Sequence, residues 1–112
     1  MNTPTCKWPI NYSEFLSFHI YGDNEGWSNR AGLYIFSYLT DGGWVALYVG
    51  KTDDFAKRPA THERLDEAVR LGATHIHARV VPLQADRDRI EKTLILSLQP
   101  PLNTQHRNPF QA

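Results

Sequence analysis

Two tyrosines stand beside glycines in apolar, strand-like stretches: Gly32-Leu33-Tyr34 and Tyr48-Val49-Gly50. Lys51 follows the second stretch at once, Arg58 comes ten residues after Tyr48, and His62 comes four after Arg58. Glu91 lies in a later helical stretch, and Asn103 follows Pro101-Leu102 beyond it. Free tyrosine, with a pKa near ~10, is a poor base at neutral pH, but a neighbouring cation such as Lys51 favours its phenolate. The planar fork of Arg58 fits phosphate oxygens and stays charged. A metal supported by one carboxylate suits Mg²⁺, which keeps waters and takes further oxygens from a phosphate. A set of this kind could activate a water and stabilise charge developing on a phosphate.

Such chemistry requires elements that bring these residues together. Residues 1–11, with Pro4 and Pro9, read as an irregular lead-in. Ser13 is placed to cap a short helix carrying Phe15, Leu16 and Phe18. Gly22 to Gly26 has turn chemistry. The period then becomes two: Leu33, Ile35 and Leu39 share one strand face, and Tyr34, Phe36 and Tyr38 the other. A second strand, Trp44 to Gly50, follows Asp41-Gly42-Gly43, which predicts a hairpin. A helical segment then runs to about Leu71, ends at Gly72, and has Pro59 near its start. A third strand spans Thr74 to Val81. A last helix runs from about Gln84 to Leu98 and stops before Pro100-Pro101. The expected fold class is α+β, a small three-stranded, largely antiparallel sheet flanked by helices.

The hairpin loop decides whether the tyrosines meet. A three-residue loop, Asp41 to Gly43, puts Thr40 opposite Trp44, Phe36 opposite Tyr48 and Tyr34 opposite Gly50. Tyr34 and Tyr48 then share a face as diagonal neighbours, roughly 7–8 Å apart at the backbone. A two-residue loop would put them on opposite faces. On the last helix Glu91 shares a stripe with Ile95 and Leu98, where a carboxylate is costly to bury unless paired or metal-bound. Asp86, Asp88 and Lys92 read as solvent-facing.

The ordered set resembles the GIY-YIG nuclease family over about residues 31–105, with Gly32-Leu33-Tyr34 and Tyr48-Val49-Gly50 as variants of its two tripeptide motifs. The resemblance implies a DNA endonuclease that hydrolyses phosphodiester bonds with one Mg²⁺ (or Mn²⁺) per site. It implies that Tyr34 and Tyr48 flank the attacking water and the scissile phosphate, and that Lys51 polarises a tyrosine or the phosphate. It gives Arg58 the transition-state charge, and His62 a position where the family has histidine or tyrosine. Glu91 would hold the metal, while Gly50 and Asn103 would serve the substrate side, Asn103 by bracing the site or touching substrate. Residues 1–30 are then an extension, and 106–112 a tail in which His106 and Arg107 could touch phosphates.

Each residue alone has an ordinary structural use: a tyrosine packs in a strand, Arg58 and His62 are solvated, and Glu91 pairs with Arg87. The alternative function is a non-catalytic nucleic-acid- or partner-binding module on the same fold. A third reading is a protein-interaction domain using Trp27 and Trp44. His75, His77 and Arg79 share a strand face; two histidines at i, i+2 can bind transition metals, but a half-solvated polar face is the expected state. His77 and Arg79 could also line a DNA-facing surface.

The chain has 112 residues, 12 Lys+Arg against 12 Asp+Glu, and a formal net charge of zero. No apolar run approaches the ~18 residues of a membrane span, so no membrane partner is expected. The single cysteine, Cys6, fits a reducing compartment, and a cytoplasmic location is expected. The balanced charge predicts weak non-specific binding to DNA, with targeting supplied by self-association or a partner protein.

Overall fold

The computed structural model describes residues 4–11, 13–21, 29–57 and 63–104. The chain forms β1 (Thr5–Pro9), β2 (Phe15–Tyr21), β3 (Gly32–Thr40), β4 (Gly43–Thr52), α1 (Glu63–Arg70), β5 (His75–Val80) and α2 (Gln84–Leu98). The strands make one sheet in the order β1-β2-β5-β3-β4, and every neighbouring pair is antiparallel. Arg58, Pro59, His62, Trp27, His106 and Arg107 lie outside the described residues.

Among the described residues the sheet has five strands, not three. The expected lead-in contains β1, and the short helix expected after Ser13 is β2. The physical reason is a period of two that the aromatic cluster disguises. Cys6 and Trp8 on β1 pair with Phe18 and Leu16 on β2 and turn inward. Phe15, Ser17 and His19 point the other way and are exposed. Ser13 caps no helix. Asn11 Oδ1 accepts from Ser13 N at 2.8 Å, Ser13 Oγ at 3.0 Å and Glu14 N at 2.8 Å, a side-chain turn that reverses the chain between the strands.

The later elements follow the expected order. Gly72, at φ 107°, ends α1, with Gly72 N donating to Val69 O at 3.0 Å and Ala73 N to Ala68 O at 2.9 Å. This is the paired-bond closure that favours glycine after a helix. Gln99, in the left-handed region, ends α2 before the two prolines.

One helix packs on each face of the sheet. Leu33, Ile35 and Val49 meet Ile90, Leu94 and Ile95 of α2, together with Trp8 and Phe18. Tyr34, Phe36 and Leu47 meet Ala68 and Leu65 of α1, together with Phe55. The two cores use alternate residues of β3, as a period of two requires.

The hairpin between β3 and β4 reaches the expected tyrosine register by another route. Its loop has two residues, so Thr40 faces Gly43 and Leu39 faces Trp44, rather than Thr40 facing Trp44. The register shifts between Phe36 and Ser37: Ser37 faces Ala46, Phe36 faces Tyr48 and Tyr34 faces Gly50. Leu47 is the extra residue. The offset expected in the turn is thus supplied by a β-bulge.

Candidate active site

The motif glycines each make room for a specific neighbour. A Cβ on Gly50 would overlap the Tyr34 ring at Cζ, Oη and Cε2, so the phenol end of Tyr34 rests on the Gly50 backbone. A Cβ on Gly32 would collide with the Arg79 carbonyl and the Phe55 ring, so Gly32 permits close approach of β5 and of the chain after β4. Tyr34 is only 1% exposed, while Tyr48 is half-buried. Their ring centroids are 6.3 Å apart, and Phe36 lies 5.4 Å from Tyr34 and 5.7 Å from Tyr48. The bulge therefore places both tyrosines on one face, in a single aromatic group.

Asn103 fixes the strand that carries Tyr48 and Gly50. β4 is an edge strand, and edge backbone groups need partners. Asn103 is fully buried; its Oδ1 accepts from Val49 N and its Nδ2 donates to Val49 O, both at 2.8 Å. The side-chain amide thus imitates one residue of a neighbouring strand. Leu102 N donates to Leu47 O at 3.0 Å, which satisfies the bulge carbonyl. The segment after α2 therefore braces both the bulge and the site strand.

The charged groups gather on the other side of the same strand end. Lys51 alternates with Gly50 and reaches toward α2. Its Nζ lies 2.7 Å from Asp88 Oδ1 and 3.6 Å from Glu91 Oε1. The hydrogen bond that Lys51 donates to Asp88 is the main reason the Lys51 pKa is raised, with the Glu91 carboxylate adding to it. Lys51 is therefore held as a cation. Glu91 is 5% exposed, although it belongs to a helix whose Asp88 is half-exposed. Arg87 donates to the carbonyls of Val81 at 3.0 Å and Pro82 at 2.7 Å rather than supplying the partner expected for Glu91. A cleft of about 400 Å³ opens beside Lys51 and Asp88, lined also by Thr52, Asp53 and Lys57.

The tyrosines and the Lys51–Glu91 group thus straddle the edge strand at Gly50. Asp88, expected to be only solvent-facing, is part of this arrangement. Its signal in the sequence is its place one helical turn before Glu91. The donor chemistry fits a hard divalent cation that keeps most of its waters: one buried carboxylate, with no cluster of three or more His, Cys, Asp or Glu able to hold a metal among the described residues.

The histidine pair does something else. His77 is fully buried, contrary to a half-solvated or DNA-facing position. Trp8 Nε1 donates to its Nδ1 at 2.8 Å, Cys6 Sγ lies 3.2 Å from Nδ1, and Ser37 Oγ lies 3.1 Å from Nε2. Burial, reinforced by His75, lowers its pKa to about 4, so it is neutral. Burial raises the Cys6 thiol to about 11. Trp44 packs edge-on against His75 and His77, and Arg79 donates to the Ser17 carbonyl at 3.1 Å.

No family model and no curated protein matches the sequence. Solved structures do match. The GIY-YIG N-terminal endonuclease domain of UvrC from Thermotoga maritima, bound to its catalytic magnesium ion, aligns with a TM-score of 0.56 at 23% identity. The alignment covers 70% of this chain and 88% of that domain. Two tyrosine-to-phenylalanine mutants of the same domain, also bound to the catalytic divalent cation, align with TM-scores of 0.55 at 22% and 21% identity, with the same coverage. At this level of identity the likeness is one of architecture, and the chain carries the fold of the GIY-YIG endonuclease domain.

Proposed function

We propose that this chain is a metal-dependent DNA endonuclease that hydrolyses phosphodiester bonds. The observation that carries the proposal is the strand end at Gly50. There two tyrosines converge on one side, and a charged lysine and a buried carboxylate converge on the other.

In the proposed reaction Tyr34 and Tyr48 flank and orient the attacking water, and one of the two, as its phenolate, takes the proton the water loses. Lys51 remains an ammonium and supplies fixed positive charge beside the phosphate. Arg58 takes the charge that develops on the phosphate oxygens, and His62 assists from the same stretch; these two roles rest on their sequence positions. Glu91 would hold the divalent cation, which when bound polarises the phosphate and stabilises the leaving oxygen. Asn103 keeps Tyr48, Val49 and Gly50 in place.

The test is nicking of supercoiled plasmid with Mg²⁺ or Mn²⁺, beside Glu91→Ala and Arg58→Ala. Nicking by the wild type, lost in both variants, is the expected result. Equal activity in Glu91→Ala would remove the metal assignment. Binding without cleavage under either metal would make the chain a nucleic-acid-binding module on the same fold.

A further inference from the structure

We propose that the open face of the β1–β2 hairpin is a stacking platform for unpaired bases, and that the DNA cut at the Gly50 site carries a single-stranded segment lying across it. The cutting rests on the functional reading above; the platform rests on the register, exposure and charge of the two strands.

Directly opposed residues of neighbouring strands share a face of the sheet. Two such rows cross the sheet from the tyrosines. Tyr34 pairs with Ala78, and Ala78 with His19; Phe36, opposite Tyr48, pairs with Ile76, and Ile76 with Tyr21. Alternation along β2 adds Phe15 and Ser17 to this face, and pairing with β1 adds Thr5 and Lys7. α1 packs on the β3, β4 and β5 part of the face and leaves the hairpin part open. Phe15 is 57% exposed there, and Thr5, Lys7, Ser17 and His19 are exposed around it. The rings of His19 and Tyr21 lie 6.4 Å apart. Neither strand carries an aspartate or a glutamate, although the chain has 12. The face thus combines the rings of Phe15, His19 and Tyr21 with the cation of Lys7. That composition suits a single strand: bases stack on the rings whatever their sequence, and the ammonium takes a phosphate. A duplex hides its base faces and offers mainly phosphates, for which a chain of zero net charge has little attraction. Tyr34 and His19 are two strand spacings apart, about 10 Å. A strand that leaves the site past α1 therefore reaches the platform within a few nucleotides.

Anisotropy of a labelled oligothymidylate and of a labelled duplex of the same length tests the platform, with the full chain in EDTA so that nothing is cut. The single strand is expected to bind about tenfold tighter than the duplex. Phe15→Ala and His19→Ala are each expected to weaken single-strand binding about tenfold and to leave duplex binding unchanged. Both side chains are exposed, so both variants should fold, which thermal unfolding checks. Leu96→Ala, which trims an exposed side chain on α2 across the sheet, is expected to change neither affinity. Equal affinity of the wild type for the two ligands overturns the platform. So do Phe15→Ala and His19→Ala chains that bind the single strand like the wild type, or a Leu96→Ala chain weakened as much as they are. A wild-type dimer that Phe15→Ala dissociates in sedimentation, with strand binding intact, would make the face an interface between copies, which equally overturns it. Cleavage in Mn²⁺ then reads the substrate. A duplex with a single-stranded tail is expected to be cut about tenfold faster than a blunt one, and Phe15→Ala should remove the advantage. Equal rates overturn the substrate assignment. A tailed duplex that binds through Phe15 and His19 but stays uncut leaves the platform standing and removes the nuclease reading instead.

Discussion

A hydrogen atom at Gly50 decides where the Tyr34 phenol can rest. Any side chain there must push the ring away or push β4 outward, and Asn103 holds β4 by two buried hydrogen bonds. Gly50→Ala is therefore expected to be an overpacking change that destabilises by about 1–3 kcal/mol. A displacement of the phenol by an ångström is expected to lower nicking on the order of 100-fold, more than the change in folded fraction. Thermal unfolding and nicking measured on one preparation separate the two effects. Retained nicking in a folded Gly50→Ala chain would mean that Tyr34 needs no such seat. The glycine was legible from the sequence as half of a motif, but its steric partner was not. Asn103 was legible as a brace or a substrate contact. Only the structure shows that both ends of its amide meet the Val49 main chain, because nothing local marks Val49 as facing an open sheet edge.

At the scale of elements, the tyrosine pairing was legible and its mechanism was not. Gly42-Gly43 suits a hairpin loop of either length, and alternation within each strand does not say where an extra residue sits. The chain placed it at Leu47, in a bulge whose carbonyl Leu102 satisfies. The β1–β2 hairpin was missed because Phe15, Leu16 and Phe18 fit one helical turn as well as a strand, and its proof lies in pairing with β5, more than fifty residues away. That hairpin is joined to the sheet through His77, whose contacts reach Cys6 and Trp8 on β1 and Ser37 on β3. The junction should make the fold acid-sensitive. His77 titrates near its ordinary value, about 6.5, when unfolded, but at about 4 when folded. Between these values the unfolded chain binds more protons, so stability falls as pH drops. The contribution is complete above about pH 6.5 and declines until about pH 4, for a total of roughly 3 kcal/mol. Urea unfolding at several pH values, followed by tryptophan fluorescence, measures this slope. His77→Phe should flatten it, and an unchanged slope would assign the acid sensitivity to other groups.

For the whole molecule the decisive quantity is charge, both its sum and its commitments. The net charge is zero, and several described cations are already engaged. Lys51 is held by Asp88, Arg64 by Glu67 at 3.0 Å and Arg89 by Asp86 at 3.6 Å, while Arg79 and Arg87 donate to backbone carbonyls. Few phosphates can then be neutralised at once. Each neutralised phosphate contributes about 0.9 to the slope of log affinity against log salt, so a footprint of about two or three gives a slope near −2 to −3. Binding to random duplex should be micromolar or weaker at physiological salt. Anisotropy titrations of a labelled duplex over a range of salt concentrations measure both quantities, and affinity tighter than ~10 nM would contradict the expectation. A catalytic site that grips its substrate poorly gains most from being carried to it. Fusing the chain by a flexible linker to a DNA-binding domain supplies millimolar local concentration, which should raise nicking at fixed protein concentration by a factor of about 100 or more. If the fusion leaves the rate unchanged, binding is not the limiting step, and the balanced charge is compatible with an efficient stand-alone nuclease.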